Sequence, residues 1–222
     1  MVICVCPTAN RPGFLRWAVQ GFMEQTYAES RLFIFDTSRE KPVADHSGGR
    51  IVHVWAGPPA GIKFGELRNV STQAALAGFA YPEFPEVKYV AHWDDDDWYA
   101  PERLARQVAL LQQSRKAMTG MHSSKFTNGE RWWKYQGTGG FSMDASLMYR
   151  PTWFRQAPFD NGTHIGPEVA FTGRAAVAGE LVAIDGAADL KPGYSAGDLM
   201  VVRCHRSNTS PKHPGGNWKP LN

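Results

Sequence analysis

Four consecutive aspartates, Asp94, Asp95, Asp96 and Asp97, follow the apolar-rich run 87–91 and are closed by Trp98 and Tyr99. No chain can fold four adjacent carboxylates into an apolar interior, and a free run of this kind is ordinarily a soft, solvated acidic turn. Here the preceding run reads as a buried strand, and Pro101 marks a helix start with proline in its favoured first turn. The acids are therefore expected at the end of a buried strand, held close enough to repel one another unless a cation offsets them. Hard divalent ions such as Mg²⁺ or Mn²⁺ take oxygen ligands, commonly one or two carboxylates together with substrate phosphates. An extended backbone would point Asp94 and Asp96 to one face and Asp95 and Asp97 to the other.

The rest of the first half alternates strand and helix. Residues 2–6 form a continuous apolar run, the pattern of a strand buried on both faces. A Pro- and Gly-containing turn follows, then a helix with Phe14, Leu15, Ala18, Val19 and Phe22 on one side. Residues 32–35 predict a second strand ending at Asp36, and 51–55 a third. A Gly- and Pro-rich loop leads into a helix over 66–78, and the helix from Pro101 turns Leu104, Val108 and Leu111 inward. This alternation predicts an α/β fold, one domain with a mostly parallel central sheet and helices on both faces. Ligands of such sheets bind beyond the carboxyl ends of the strands, where Thr8, Arg11, Asp36 and the aspartates all fall. After residue 114 the pattern loosens. Strands are expected at 116–122, 141–149, 181–184 and 200–204, a helix at 167–178, a polar aromatic stretch at 123–140, and an irregular tail over 207–222.

The net charge of +3 over 222 residues is compatible with phosphate-bearing ligands but too small to demand nucleic acid. No apolar run is long enough to span a membrane, and the apolar start is too short for a signal peptide, so a cytoplasmic protein is expected. Cys4, Cys6 and Cys204 lie in apolar stretches and read as reduced core residues.

Six landmarks occur in order. They are Cys6-Pro7-Thr8 with Arg11, then Asp36, then Glu66-Leu67-Arg68-Asn69, then the four aspartates. Gly166-Pro167-Glu168 with Phe171 and Arg174 comes next, and His205-Arg206-Ser207-Asn208-Thr209-Ser210 closes the set. Together they resemble the nucleotide-sugar glycosyltransferases of the GT-A fold, specifically the large inverting family 2, over nearly the whole chain. The resemblance implies a Rossmann-like GT-A sheet, a donor half over 1–115 and an acceptor and catalytic-base half over 116–222 of the same domain. It implies a nucleotide-sugar donor, UDP-linked, and Mn²⁺ or Mg²⁺ as cofactor. Pro7, Thr8 and Arg11 correspond to the nucleotide cradle, and Asp36 to the residue that hydrogen-bonds uracil. Arg68 corresponds to the cation that approaches the donor diphosphate. Asp94, with Asp95 beside it, matches the donor-contacting first acid of the family's Asp-x-Asp, and Asp96 the metal ligand, with His205 completing the metal or diphosphate site. Glu168 falls on the general base, while Pro167 replaces the acid that usually precedes it. Read without the family, Thr8 is a turn residue, Arg68 a solvated helix arginine, Glu168 an acid at a helix N-terminus and His205 a structural histidine.

The implied reaction moves a sugar from the nucleotide to an acceptor hydroxyl with inversion. In the second half Lys125, Arg131, Trp132 and Trp133 interleave bases with aromatics, which suits a sugar ring or stacked nucleobases. A saccharide or glycoconjugate is the expected acceptor. A hydroxylated base in viral DNA is the alternative, and would place the protein in a virus-infected host cell. The tryptophans also read as half-buried packing. Two other classes compete. A metal-dependent phosphohydrolase leaves Asp36, Arg68, Glu168 and His205 without a role, and a non-catalytic nucleotide-sugar binding module is encouraged only by Pro167.

Overall fold

Because every residue of β1 (Val2–Thr8) is apolar or small, the strand can be covered on both faces, and it sits in the middle of the sheet. It pairs in parallel with β2 (Ser30–Asp36) on one side and β4 (Tyr89–His92) on the other, and β3 (Ile51–Trp55) continues the parallel run beyond β2. The computed structural model describes residues 1–43, 45–82, 84–137, 142–164, 166–187, 193–195, 198–205 and 218–221. Beyond β4 the sheet becomes antiparallel through β8 (Met148–Tyr149), β6 (Met118–Thr127), β7 (Trp132–Gln136) and β11 (Trp218–Leu221). β9 (Leu181–Asp185) and β10 (Met200–Arg203) run parallel to β6, and the short β5 (Trp98–Tyr99) closes on β10.

The alternation of side chains along β1 divides the core in two. Val2, Cys4 and Cys6 pack with Leu15, Ala18 and Phe22 of α1 (Pro12–Met23) and Leu104, Val108 and Leu111 of α3 (Arg103–Ser114). Ile3 and Val5 pack on the other face with Ala75 of α2 (Phe64–Gly78), Phe154 of α4 (Pro151–Gln156) and Phe171 of α5 (Pro167–Val177). A central sheet with helices on both faces is therefore what the alternation requires and what the chain adopts. Cys4 and Cys6 are buried free thiols whose ionisation burial opposes, with Cys4 pushed up to about 12. Among the described residues no helix is long and apolar enough to cross a membrane.

The structure departs from the sequence expectation in four places, three of them in the second half. The strand expected at 116–122 runs on to Thr127, turns at Asn128, whose side chain accepts the Glu130 and Arg131 amides, and returns as β7, so 123–136 is a hairpin. The strand expected over 141–149 is a 3₁₀ turn at Asp144–Ser146 followed only by β8. Within the tail expected to be irregular, Trp218–Leu221 forms a strand on β7; 206–217 and 222 lie outside the described residues. Pro101 stands in the turn ahead of α3 rather than within it, its carbonyl accepting the Thr26 amide at 2.9 Å.

Candidate active site

The chain leaves β4 through Trp93, which is fully buried and donates its indole N–H to Ala18 O at 3.1 Å. It then turns through Asp95 and Asp96 instead of staying extended. Two bonds fix the turn. Tyr99 Oη accepts the Asp94 amide at 2.9 Å, and Asp97 Oδ1 accepts the Arg203 amide of β10 at 3.1 Å. The face assignment of the extended reading is therefore corrected. Asp94, Asp96 and Asp97 gather, each offering an oxygen within 4.8 Å of the others, while Asp95 turns back against β1. There Asp95 is 1% exposed, accepts Thr8 Oγ1 at 2.6 Å and pairs with Arg11 Nη2 at 2.9 Å. Burial pushes its carboxyl up to about 7 although Arg11 and Thr8 pull the other way. Three converging carboxylate oxygens are the donor set of a hard divalent cation.

Two arginines and a histidine stand around this loop. Arg11 Nη1 bonds Asp96 Oδ2 at 3.1 Å, and His205 Nε2 meets the same oxygen at 2.9 Å with its ring stacked on Phe14. Arg68 is 1% exposed, with its guanidinium 4.7 Å from the centre of the Phe64 ring. It donates to Asp94 Oδ1 at 2.6 Å and, through Nε and Nη2, to Asp144 Oδ2 at 2.9 and 2.6 Å. A second arginine positions this assembly from within the core. Arg103 donates to the carbonyls of His92 and Ala145 at 2.9 and 3.0 Å, tying the end of β4 to the 3₁₀ turn that carries Asp144. Burial alone would raise the Asp144 carboxyl, but Arg68 and His92 hold it below its usual range.

Glu168 occupies the first turn of α5, after Gly166 in the left-handed region (φ 66°) and Pro167 at the helix start. Burial, and then the charge of Asp144, push its carboxyl up to about 7. Glu168 faces one cavity of about 180 Å³ together with Pro7, Arg11, Arg68, the four aspartates and Asp144. Arg11 also lines a neighbouring cleft of about 500 Å³ that contains Thr8, Asp36 and His46. Asp36 is 2% exposed, accepts the Ser38 amide at 2.8 Å and lies 3.2 Å from His53 Nε2. Two clefts that share Arg11, at the carboxyl ends of β1, β2 and β4, thus hold residues that lie far apart in sequence.

No protein-family model and no curated protein sequence matches the chain. Solved structures do. TarS 1–349 of S. aureus, solved with UDP-GlcNAc, superposes with a TM-score of 0.64 over 94% of this chain and 60% of its own, at 11% identity. The same protein with UDP gives 0.63 over 91% of this chain and 60% of its own, at 13% identity. The mannosyltransferase PcManGT from Pyrobaculum calidifontis, solved with GDP-Man and Mn²⁺, gives 0.56 over 83% of this chain and 54% of its own, at 12% identity. The fold is a GT-A-like glycosyltransferase fold. The chain spans about 60% of the TarS 1–349 chain.

Within this glycosyltransferase fold the acceptor residues expected from sequence do not assemble. Lys125 is fully buried, its ammonium 3.0 Å from Asp198 and bonded to Ser195 and the Gly193 carbonyl, so it presents no charge to the cavity. Arg131 is exposed in the hairpin turn. Trp133 lies opposite Phe126, a cavity residue, and directly opposed residues of an antiparallel ladder share a face. Trp132 is on the other face, edge-on to Tyr194 with ring centres 5.4 Å apart. Asp144 is the site residue that sequence reading missed. Its signal was an acid inside the strand expected over 141–149, since carboxylates are almost never fully buried unless paired.

Proposed function

We propose that the chain is a metal-dependent, inverting glycosyltransferase of the family 2 type, transferring a sugar from a nucleoside diphosphate, UDP by preference, to an acceptor hydroxyl. The observation that carries the reading is one cavity lined at once by a carboxyl raised to about 7, Glu168, a buried arginine and a three-carboxylate cluster. The complexes of TarS with UDP-GlcNAc and of PcManGT with GDP-Man and Mn²⁺ support the donor class.

In this reading residues 1–115 bind the donor and 116–222 supply the base and meet the acceptor. Pro7, Thr8 and Arg11 cradle the nucleotide, and Asp36 reads the base in the larger cleft. Mn²⁺ or Mg²⁺, held by Asp94, Asp96 and Asp97 with His205 beside them, would neutralise charge on the departing diphosphate. Asp95 fixes the loop by its bonds to Thr8 and Arg11. Glu168 takes the proton of the acceptor hydroxyl as that oxygen bonds to the anomeric carbon. The bond from the anomeric carbon to the diphosphate oxygen breaks, and the electron pair leaves with the nucleotide. Arg68 and Arg11 stabilise that growing charge. A single displacement inverts the anomeric centre.

A saccharide or glycoconjugate is the acceptor, entering over Phe126 and Trp133. The burial of Lys125 removes one of the cations on which a DNA acceptor would depend. Buried free thiols suit a reducing, cytoplasmic setting. Release of UDP from UDP-sugars, followed across an array of saccharide acceptors with Mn²⁺, tests the reading. Acceptor-dependent release that Glu168→Gln abolishes supports it, and release indifferent to acceptor would favour a phosphohydrolase. Trp133→Ala should raise the acceptor's KM and leave donor affinity alone, whereas Trp132→Ala should do neither.

A further inference from the structure

A further cavity, of about 640 Å³, opens at the other end of the sheet. It is lined by Lys88, which precedes β4, and by Arg150, which follows β8, whereas the aspartates leave β4 at its far end. None of its lining residues lines either cleft described above. Its apolar wall comes from Leu76, near the end of α2, and from Phe79 and Phe84 beyond it. Phe79 is 3% exposed, and its ring meets those of Phe33 and Phe84 edge-on, with centres 6.3 and 5.0 Å apart, so the core fixes this wall. Tyr81 lines the same cavity and is 58% exposed.

The charged lining is one-sided. Lys88, Arg150 and Arg155 stand against one acid, Glu86, and none of the three cations forms an ion pair among the described residues. Arg11 and Arg68, in the cavity beside the aspartate turn, are each paired with carboxylates. Arg150 is half-buried and anchored without being satisfied. Its Nε donates to the Lys116 carbonyl at 3.2 Å, and its guanidinium lies 5.3 Å from the centre of the Tyr89 ring. Its Nη1 and Nη2 have no hydrogen-bond partner among the described residues. A guanidinium held by its Nε and its flat face presents its remaining N–H groups as a fork suited to two oxygens of one anion. A carboxylate offers two oxygens and one charge, and would leave two of the three cations unmatched. A phosphate monoester brings three acceptor oxygens and about two negative charges, and can meet all three. The apolar wall beside the cations suits a ligand body that stacks or packs rather than one that is charged throughout. The volume falls within the roughly 300–1,000 Å³ of small-molecule sites.

We propose that this cavity binds a phosphorylated small molecule with an aromatic or apolar body, its phosphate held by Arg150, Lys88 and Arg155 and its body against Phe79, Phe84 and Tyr81. The site does not depend on the glycosyltransferase reading, because it shares no residue with the donor clefts. Its test is calorimetric titration of phenyl phosphate, inorganic phosphate and phenol into the full chain in EDTA. The phenyl phosphate titration is repeated with UDP and Mn²⁺ and on Asp96→Ala. The expected result is one saturable phenyl phosphate site, about tenfold or more tighter than for either fragment, that neither UDP nor the loss of Asp96 disturbs. Arg150→Gln should weaken phenyl phosphate by about tenfold or more and Arg155→Gln by about threefold. Tyr81→Ala should weaken phenyl phosphate and leave inorganic phosphate as it was. Arg155 and Tyr81 are exposed, so their variants decide the matter even if Arg150→Gln fails to fold. Binding weaker than about 10 mM would overturn the proposal, as would affinity indifferent to Arg155 and Tyr81. Competition by UDP would put the ligand in the donor cleft and overturn it as well. Phosphatidylglycerol vesicles form the last arm. Sedimentation with vesicles that Arg155→Gln reduces, in the absence of phenyl phosphate binding, would make this a membrane-facing surface and overturn the small-molecule site.

Discussion

Replacing Glu168 with glutamine preserves shape and removes the one carboxylate to which the chemistry is assigned. Burial and Asp144 raise this carboxyl to about 7, and it acts as a base only when deprotonated. Activity should therefore be lost towards acid and rise with pH. The deprotonated share grows from about one-tenth at pH 6 to about nine-tenths at pH 8, so the transfer rate should rise roughly tenfold over that interval. The glutamine variant should lose a factor on the order of 10²–10⁴ at pH 8 and show no such limb. Stability should move differently. A carboxyl raised in the folded state favours folding only while protonated, and above about pH 7 its ionised form costs stability. Glu168→Gln should accordingly keep or raise the Tm at pH 8. The assay is initial transfer rate at saturating donor and acceptor from pH 5.5 to 8.5, about 1.5 units either side of neutrality, with donor Kd measured separately. A variant that retains near-native rate, or the same acid limb, would reduce Glu168 to a helix-terminal acid.

Two further outcomes are expected. Asp36→Ala should weaken uridine nucleotides more than pyrophosphate in competition binding, and equal losses would mean that Asp36 does not read the base. Lys125→Ala leaves Asp198 buried beside a missing ammonium and should destabilise the fold by about 3–5 kcal/mol in urea unfolding, and a loss under about 1 kcal/mol would show the pair to be dispensable.

The first half was legible because its signals are local. Continuous apolar runs give β1 and β2, and i, i+4 spacing of apolar residues gives α1 and α3. The positions of Arg11 and the aspartates around one cavity follow from the rule that strand ends converge, whereas Arg68, inside α2, was expected there only from the family resemblance. The shape of the acidic turn was not legible, because the Tyr99 hydroxyl and the Arg203 amide set it from outside the run. The second half hid for a related reason. Ser123, Ser124 and Lys125 are polar yet buried in β6, satisfied by partners such as Asp185, the Met200 carbonyl and Asp198 that lie about sixty or more residues away. Local polarity then reads as loop where tertiary pairing makes strand. The place of Asp144 depends on two such contacts, its own with Arg68 and that of the core Arg103 with the adjoining Ala145 carbonyl.

The central claim is that the aspartate turn joins a cation to a nucleoside diphosphate in the cleft beside Arg68. Calorimetric titration of UDP into the protein with Mn²⁺, with EDTA, and into Asp96→Ala with Mn²⁺ tests it most directly. The account predicts saturable binding with Mn²⁺ that weakens by about tenfold or more in both other cells. Affinity that is undiminished by EDTA and by the loss of Asp96 would contradict it.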